Sequence, residues 1–143
     1  MDLLTQTNAD AARRLFEAVE NRNPQGVAAI YHERVVINEA PELPYGGEYR
    51  GHAGALRHAQ GFRATWDRFQ RSNAGGLEPR FVAQDDHVAV QWRHKAENRE
   101  TGERIDLAAA GVYRFVDGMV VDSRMFHFDI AALLKFLNNN AAD

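Results

Sequence analysis

Cysteine is absent from the 143 residues, which excludes disulfides, thiolate metal sites and cysteine nucleophiles and removes any sign of an oxidising compartment. No stretch approaches the ~18 consecutive apolar residues of a membrane-spanning helix. The opening Met1-Asp2-Leu3-Leu4-Thr5-Gln6 has neither a basic leader nor an apolar run of signal length. Like charges do not cluster either: 17 basic and 20 acidic side chains give a formal charge of −3 spread along the chain. The concentrated positive surface that phosphate backbones require is therefore missing. These absences predict no nucleic-acid partner, no membrane partner and a cytoplasmic location. The length predicts one domain over residues 1–143, built on one core.

What is present divides into helices first and strands afterwards. Thr7 and Asp10 are spaced as in a capping box, and Ala12, Leu15, Phe16 and Val19 recur at helical spacing, which predicts a helix over 8–21. Asn23-Pro24, a cap followed by proline at the first helical position, opens a short second helix with Val27, Ala28, Ile30 and Tyr31 on its apolar stripe. The β-branched run Val35-Val36-Ile37 predicts a strand that stops at Pro41 and opens into a long loop over 41–51. Leu56, Ala59, Phe62 or Arg63, Trp66 and Phe69 then keep helical period, predicting a third helix over 52–69 that ends in Asn73-Ala74-Gly75-Gly76. Beyond Leu77 the pattern turns to period two or to continuous β-branched and aromatic runs over 77–83, 88–96, 105–115 and 119–128. Asp85-Asp86, Arg99-Glu100-Thr101-Gly102 and Asp117-Gly118 separate them as hairpin turns, predicting an antiparallel meander. A last helix over 130–137 precedes Asn138-Asn139-Asn140, a tail expected to fray. With no repeat and no linker, this is an α+β pattern.

Three of these features together resemble a known family: the first helix with its Asn-Pro-started neighbour, the segment Pro44-Tyr45-Gly46-Gly47-Glu48-Tyr49-Arg50-Gly51, and the ending Tyr113-Arg114-Phe115-Val116-Asp117-Gly118 with Phe126-His127-Phe128-Asp129. The chain resembles the SnoaL-like branch of the nuclear-transport-factor-2-like superfamily, which includes ketosteroid isomerases, limonene-epoxide hydrolase and polyketide cyclases. The resemblance implies a cone-shaped, cystatin-like roll. In it a curved, mostly antiparallel sheet wraps three N-terminal helices and a short C-terminal one around an apolar cavity. It also implies no metal or cofactor, and commonly a dimer. Ala108, Ala110, Val112 and Phe126 would give the outer sheet face of such a homodimer an apolar character.

Aligning the turns with those relatives sets the strand parity, since a one-residue slip would turn every side chain to the other face. Val90, Trp92 and His94 then point inward, as do Leu107, Ala109, Gly111 and Tyr113, and Ser123, Met125, His127 and Asp129. Glu39 takes the position of the isomerase's catalytic aspartate. Leu15 and Gly111 stand where the isomerase has the tyrosine and aspartic acid that stabilise its dienolate, which disfavours ordinary steroid isomerisation. Of the hydrolase's Asp-Arg-Asp set only Asp129 is kept. Trp92 and His94 replace its first two members, and Ile37 and Glu39 replace its water-holding pair.

The candidate catalytic set is therefore Glu39, His94, His127 and Asp129, lined by Tyr45, Phe62, Trp66, Trp92, Tyr113, Ser123 and Met125. A carboxylate lifted out of water is expected to have its pKa raised toward neutrality and to act as a general base, with an imidazole as the acid. Plainer roles stand beside these. Glu39 pairs with Arg50 or caps a loop, Asp129 is the N-cap of the last helix, and the aromatic residues are core. A metal site is disfavoured because no His-x-His or His-x-x-x-His pair occurs. Gly46-Gly47 is a turn and no phosphate cradle. Two functions follow: an isomerase, cyclase or hydratase that needs no cofactor and acts on a small apolar oxygenated compound, or a ligand-binding or dimeric scaffold protein with the same pocket.

Overall fold

Asp2, not Thr7, starts the first helix: its side chain accepts a hydrogen bond from the Thr5 amide, and α1 runs Leu3–Glu20. Leu3 and Leu4 lie exposed on this extra turn, so no apolar periodicity announces it. The computed structural model describes residues 1–69 and 77–141. The expected helix-ending segment at 73–76 lies outside them. Asn23 caps α2, Pro24–Ile30, by accepting from the Gly26 amide, as its sequence signal predicts. The chain then enters β1, Tyr31–Glu39, directly. The predicted loop contains a short strand, β2, Gly47–Arg50, antiparallel to β1. α3 follows as Gly51–Trp66.

β3 (Arg80–Gln84), β4 (His87–Glu97), β5 (Arg104–Val116) and β6 (Met119–His127) form the expected antiparallel meander. At Asp117-Gly118 both residues have positive φ, 54° and 74°, as a tight two-residue hairpin requires. The sheet order is β2-β1-β6-β5-β4-β3, and β1 lies parallel to β6, so the sheet is mixed. That pairing joins residues some 86 positions apart, such as Ile37 and Ser123, and no local pattern encodes it. α4, Ile130–Asn139, closes the chain. Four helices and an open six-stranded mixed sheet make the α+β class of the expected roll.

Apolar burial falls into two clusters. In the first, Leu15 and Phe16 of α1 pack with Val35 and Ile37 of β1, Val88 and Val90 of β4, Tyr113 and Phe115 of β5, and Val120 of β6. The second gathers Leu43, Tyr45, Trp66, Phe69, Ala96, Leu133, Phe136 and Leu137 where α3 and α4 meet the far end of the sheet. The Asn138-Asn139-Asn140 tail does not fray as expected. Asn138 and Asn139 are helical, and Asn140 is buried, donating to the Glu103 carboxylate and the Phe136 carbonyl. Its own carbonyl accepts from Arg68. Asn140→Ala is therefore expected to lower unfolding free energy by about 1–3 kcal/mol in urea titrations, since buried groups lose their partners.

Candidate functional site

On three strands a polar residue falls between the two apolar clusters. Glu39 follows Ile37 of the first cluster and precedes Leu43 of the second, His94 stands between Val90 and Ala96, and His127 between Val120 and Leu133. All three lie within one buried centre: Glu39 and His94 are buried, and the His127 side chain is 4% exposed.

The centre is organised on the Glu39 carboxylate. His127 Nε2 lies 3.1 Å from Oε1, His58 Nε2 lies 2.9 Å from Oε2, and the Ala40 amide donates to Oε1 at 3.1 Å. Burial pushes this carboxyl up, but the hydrogen bonds from His127 and His58 outweigh it and hold Glu39 down to about 2. The sequence-based expectation of a raised Glu39 is thus reversed. Desolvation acts as anticipated, but two imidazole donors and an amide favour the charged form more strongly. Glu39 is ionised near neutrality and is a poor proton acceptor by itself. Its partner is not Arg50, which pairs with Glu48 instead.

His58 is the residue that sequence reasoning missed. It lies on the α3 stripe Gly54, His58, Phe62, Trp66, each four residues apart, with Gly54 and Trp66 buried. Following apolar residues alone leads to Leu56, which is 55% exposed. The i, i+4 step back from Phe62 and Trp66 was the available signal.

His94 sits among aromatic rings. Its centroid is 4.4 Å from Trp66, 6.0 Å from Phe62 and 5.9 Å from His127. Burial, with His127 beside it, holds His94 down to about 3 against the opposing pull of Glu39. It is a neutral imidazole, which removes it as the imidazolium acid considered from sequence. Asp129 does not join the centre: the residue is exposed and its carboxylate caps α4, accepting from the Ala132 amide at 2.9 Å.

The lining residues divide. Tyr45 is buried, accepts from the Trp66 indole at 2.7 Å and lies edge-on to Phe62 and His58. Burial pushes its hydroxyl well above the usual range, although the Trp66 hydrogen bond works against this. Trp92 packs on Phe16, while its neighbour Arg93 faces away and pairs with Asp106 at 2.8 Å, which fixes the strand parity. Tyr113 and Ser123 are buried on facing positions of β5 and β6, with Met125 partly buried one step along. Surface clefts of about 430 and 250 Å³ open at Lys95–Asp106 and at Arg68–Glu100. Neither is lined by this centre, around which the rings of Tyr45, Phe62, Trp66 and His94 pack on one another.

Two buried polar atoms here have no hydrogen-bond partner among the described residues: Ser123 Oγ and His127 Nδ1. Among the described residues no group of three or more His, Asp or Glu side chains is arranged to hold a metal ion, and no helix is long and apolar enough to cross a membrane.

The profile of the SnoaL-like domain family matches residues 12–123. No curated protein matches. Among solved structures, TerC co-crystallised with polyporic acid has a TM-score of 0.77 at 19% identity, over 92% of this chain and 98% of that one. A provisionally named SnoaL-like polyketide cyclase from Jannaschia sp. CCS1 has a TM-score of 0.75 at 14% identity, over 93% of each chain. A provisionally named ketosteroid isomerase from Kribbella flavida has a TM-score of 0.62 at 24% identity, over 86% of this chain and 78% of that one. At such identities the structural likenesses establish the fold.

Proposed function

The chain belongs to the SnoaL-like domain family, and from that premise we propose that it takes up a small, mostly apolar, oxygenated compound between its two apolar clusters and transforms it by general acid–base chemistry of the isomerase, cyclase or hydratase type. The observation that carries this reading is the state of His127. One ring nitrogen is tied to an ionised carboxylate and the other, Nδ1, is buried without a partner among the described residues. An Nε2–H donated to Glu39 leaves Nδ1 as a lone pair directed into the interior, the arrangement of a base whose tautomer and orientation are fixed by a carboxylate. A C–H or a water placed against Nδ1 would give its proton there, and Glu39 would stabilise the imidazolium so formed. His58 holds the other carboxylate oxygen and keeps Glu39 in place. Phe62, Trp66 and Trp92 supply an apolar wall whose rings shift on entry.

The test is a thermal-shift screen of small ketones, lactones, epoxides and polyketide-like aromatics, followed by product analysis of each hit, since a ligand of the folded state raises the Tm. A panel in which no compound stabilises the protein and none is consumed sinks the reading. A second reading, capture without turnover, is favoured by the engagement of both Glu39 oxygens with histidines. It predicts hits that raise the Tm and are recovered unchanged after long incubation.

The association expected from sequence is part of the proposal. Phe126 is 50% and Val112 38% exposed on the outer sheet face, where Phe126 faces Ala110 across the ladder. A second copy packed on that face would cover them. Sedimentation at micromolar concentration is expected to give twice the 16.1 kDa chain mass. A clean monomer would refute the dimer.

A further inference from the structure

The loop between β1 and β2, residues 40–46, lies as one layer over the buried centre. Its residues divide by side: Pro41, Glu42 and Pro44 are exposed, while Leu43 and Tyr45 are buried. The loop is bound to itself. The Leu43 amide donates to the Ala40 carbonyl, and the Gly46 amide donates to the Leu43 carbonyl. Its two ends touch, since a Cβ on Gly46 would come within 2.2 Å of the Ala40 carbonyl oxygen, and only glycine closes that neck. Pro41 and Pro44 fix φ and stiffen what lies between. A loop with joined ends and internal bonds can swing as one piece without breaking its own structure. Just beyond the neck, Gly47 has a φ of 109° and open space where a side chain would stand. Such a position absorbs a change of backbone angle at little cost.

Tyr45 is the part that reaches inward. Its Cβ fits against Gly61 of α3, where an added Cβ would come within 2.8 Å of it. Its ring stands edge-on to Phe62 and His58, with centroids at 5.6 and 6.0 Å, and its hydroxyl accepts from the Trp66 indole at 2.7 Å. His58 in turn holds the Glu39 carboxylate at 2.9 Å. Lifting the Tyr45 ring therefore uncovers the side chain next to the central carboxylate. Neither surface cleft is lined by that centre, so a compound bound for it has to displace a covering element. What fastens this loop is one side-chain hydrogen bond to α3 and the apolar packing of Leu43 and Tyr45 in the second cluster.

We propose that residues 40–46 are a lid through which a small apolar compound reaches the centre, turning on Ala40 and Gly46-Gly47 and latched by the hydrogen bond from Trp66 to Tyr45. The proposal rests on the reading that a compound is taken up between the two clusters, and it holds whether that compound is turned over or released unchanged. The lid is also tied to the chemistry. At its first hinge the Ala40 amide donates to the Glu39 carboxylate at 3.1 Å, so closing shuts the centre from water while the hinge stays bound to the charged group.

Hydrogen exchange followed by NMR tests the opening without any ligand. The amides of Leu43 and Gly46 and the indole N–H of Trp66 are expected to share one opening equilibrium, at least about a hundredfold more populated than the one that exposes the slowest amides of β4 and β5. Low urea should speed those sheet amides and leave the lid positions almost unchanged, because swinging the lid exposes little surface. Tyr45→Phe keeps the ring and removes the latch. It should speed exchange at Leu43 and Gly46 about tenfold, as fits one lost hydrogen bond, although the bonds those two amides make are untouched. Binding of 2-naphthol, followed by stopped-flow quenching of tryptophan fluorescence, tests the entrance. Tyr45→Phe should raise its association and release rates together by about tenfold, with Kd within a few-fold of wild type, because the latch closes over an empty and a filled site alike. Lid positions that exchange only with the sheet, with the same response to urea, overturn the lid, and so does a Tyr45→Phe chain whose Leu43 and Gly46 amides exchange as in wild type. A change confined to the release rate makes Tyr45 a wall of the site and overturns its role as latch. Should Tyr45→Phe not fold, the urea response of wild type decides. A wild type that binds no 2-naphthol overturns the entrance even where exchange shows the loop opening, whereas failure of the exchange test leaves the uptake reading standing.

Discussion

Glu39→Gln is expected to lower turnover of any substrate found for this site by about 10²–10⁴-fold while leaving KM within a few-fold. Glutamine keeps the volume and some hydrogen bonding but not the charge that orients His127 and stabilises its protonated form. His127→Gln should fall by a similar factor, and the double variant should be little slower than either single one, because the two residues act as one unit and losses within a unit do not add. His58→Gln should cost less, since Glu39 keeps its bond to His127 without it. A purely structural role for the centre predicts a different pattern: lower Tm and weaker binding together, with rate per bound substrate unchanged. If Glu39→Gln retains the full rate, the dyad is wrong and capture without turnover becomes the better account.

How far the chain could be read without coordinates depended on whether each signal was local. The Asn23-Pro24 cap and the Asp117-Gly118 turn are set by neighbours in sequence, the inward parity of Trp92 by aligning those turns with the family, and each is found as expected. The parity in turn put His94 and His127 inside, and also Asp129, which lies exposed as the cap of α4; Glu39 was placed by the family resemblance alone. What failed to show was long-range or relational. The parallel pairing of β1 with β6 joins the two ends of the fold. Asn140 is held by Glu103 and Arg68, side chains no local rule connects to it. Above all, the protonation state of Glu39 depends on which groups surround it. Burial alone gives one direction and two imidazole donors give the other, so Glu39 was placed in the buried centre while its protonation was inverted. His58 escaped because a histidine on a helix counts as polar in a periodicity argument, although its stripe with Phe62 and Trp66 was there to be seen.

The same buried centre makes stability strongly dependent on acid, in two overlapping windows. His94 titrates ordinarily at 6.5 and in the folded chain at about 3. Between those values the unfolded chain binds a proton that the folded chain refuses, so stability falls as pH falls, by about 1.4 kcal/mol per pH unit for one such group. Glu39 titrates ordinarily at 4.5 and in the folded chain at about 2. Its contribution is whole above 4.5 and is lost as pH drops from there toward about 2. Among the titratable groups acting on His94 are His127 and Glu39, and the uncharged rings of Trp66 and Phe62 lie beside it. His94→Phe keeps an aromatic ring in that stack and removes the proton difference. Urea unfolding at several pH values is expected to show a clear decline for wild type from 6.5 to 4.5 and a slope flatter by about one proton's worth for His94→Phe. Below 4.5 both chains should also lose stability as Glu39 protonates, with wild type still the steeper until about 3. A constant offset between the two chains would reflect packing alone and leave the slopes equal. Equal slopes between 6.5 and 4.5 would mean that His94 is charged in the fold, and its assignment as a neutral wall residue of the site would fall.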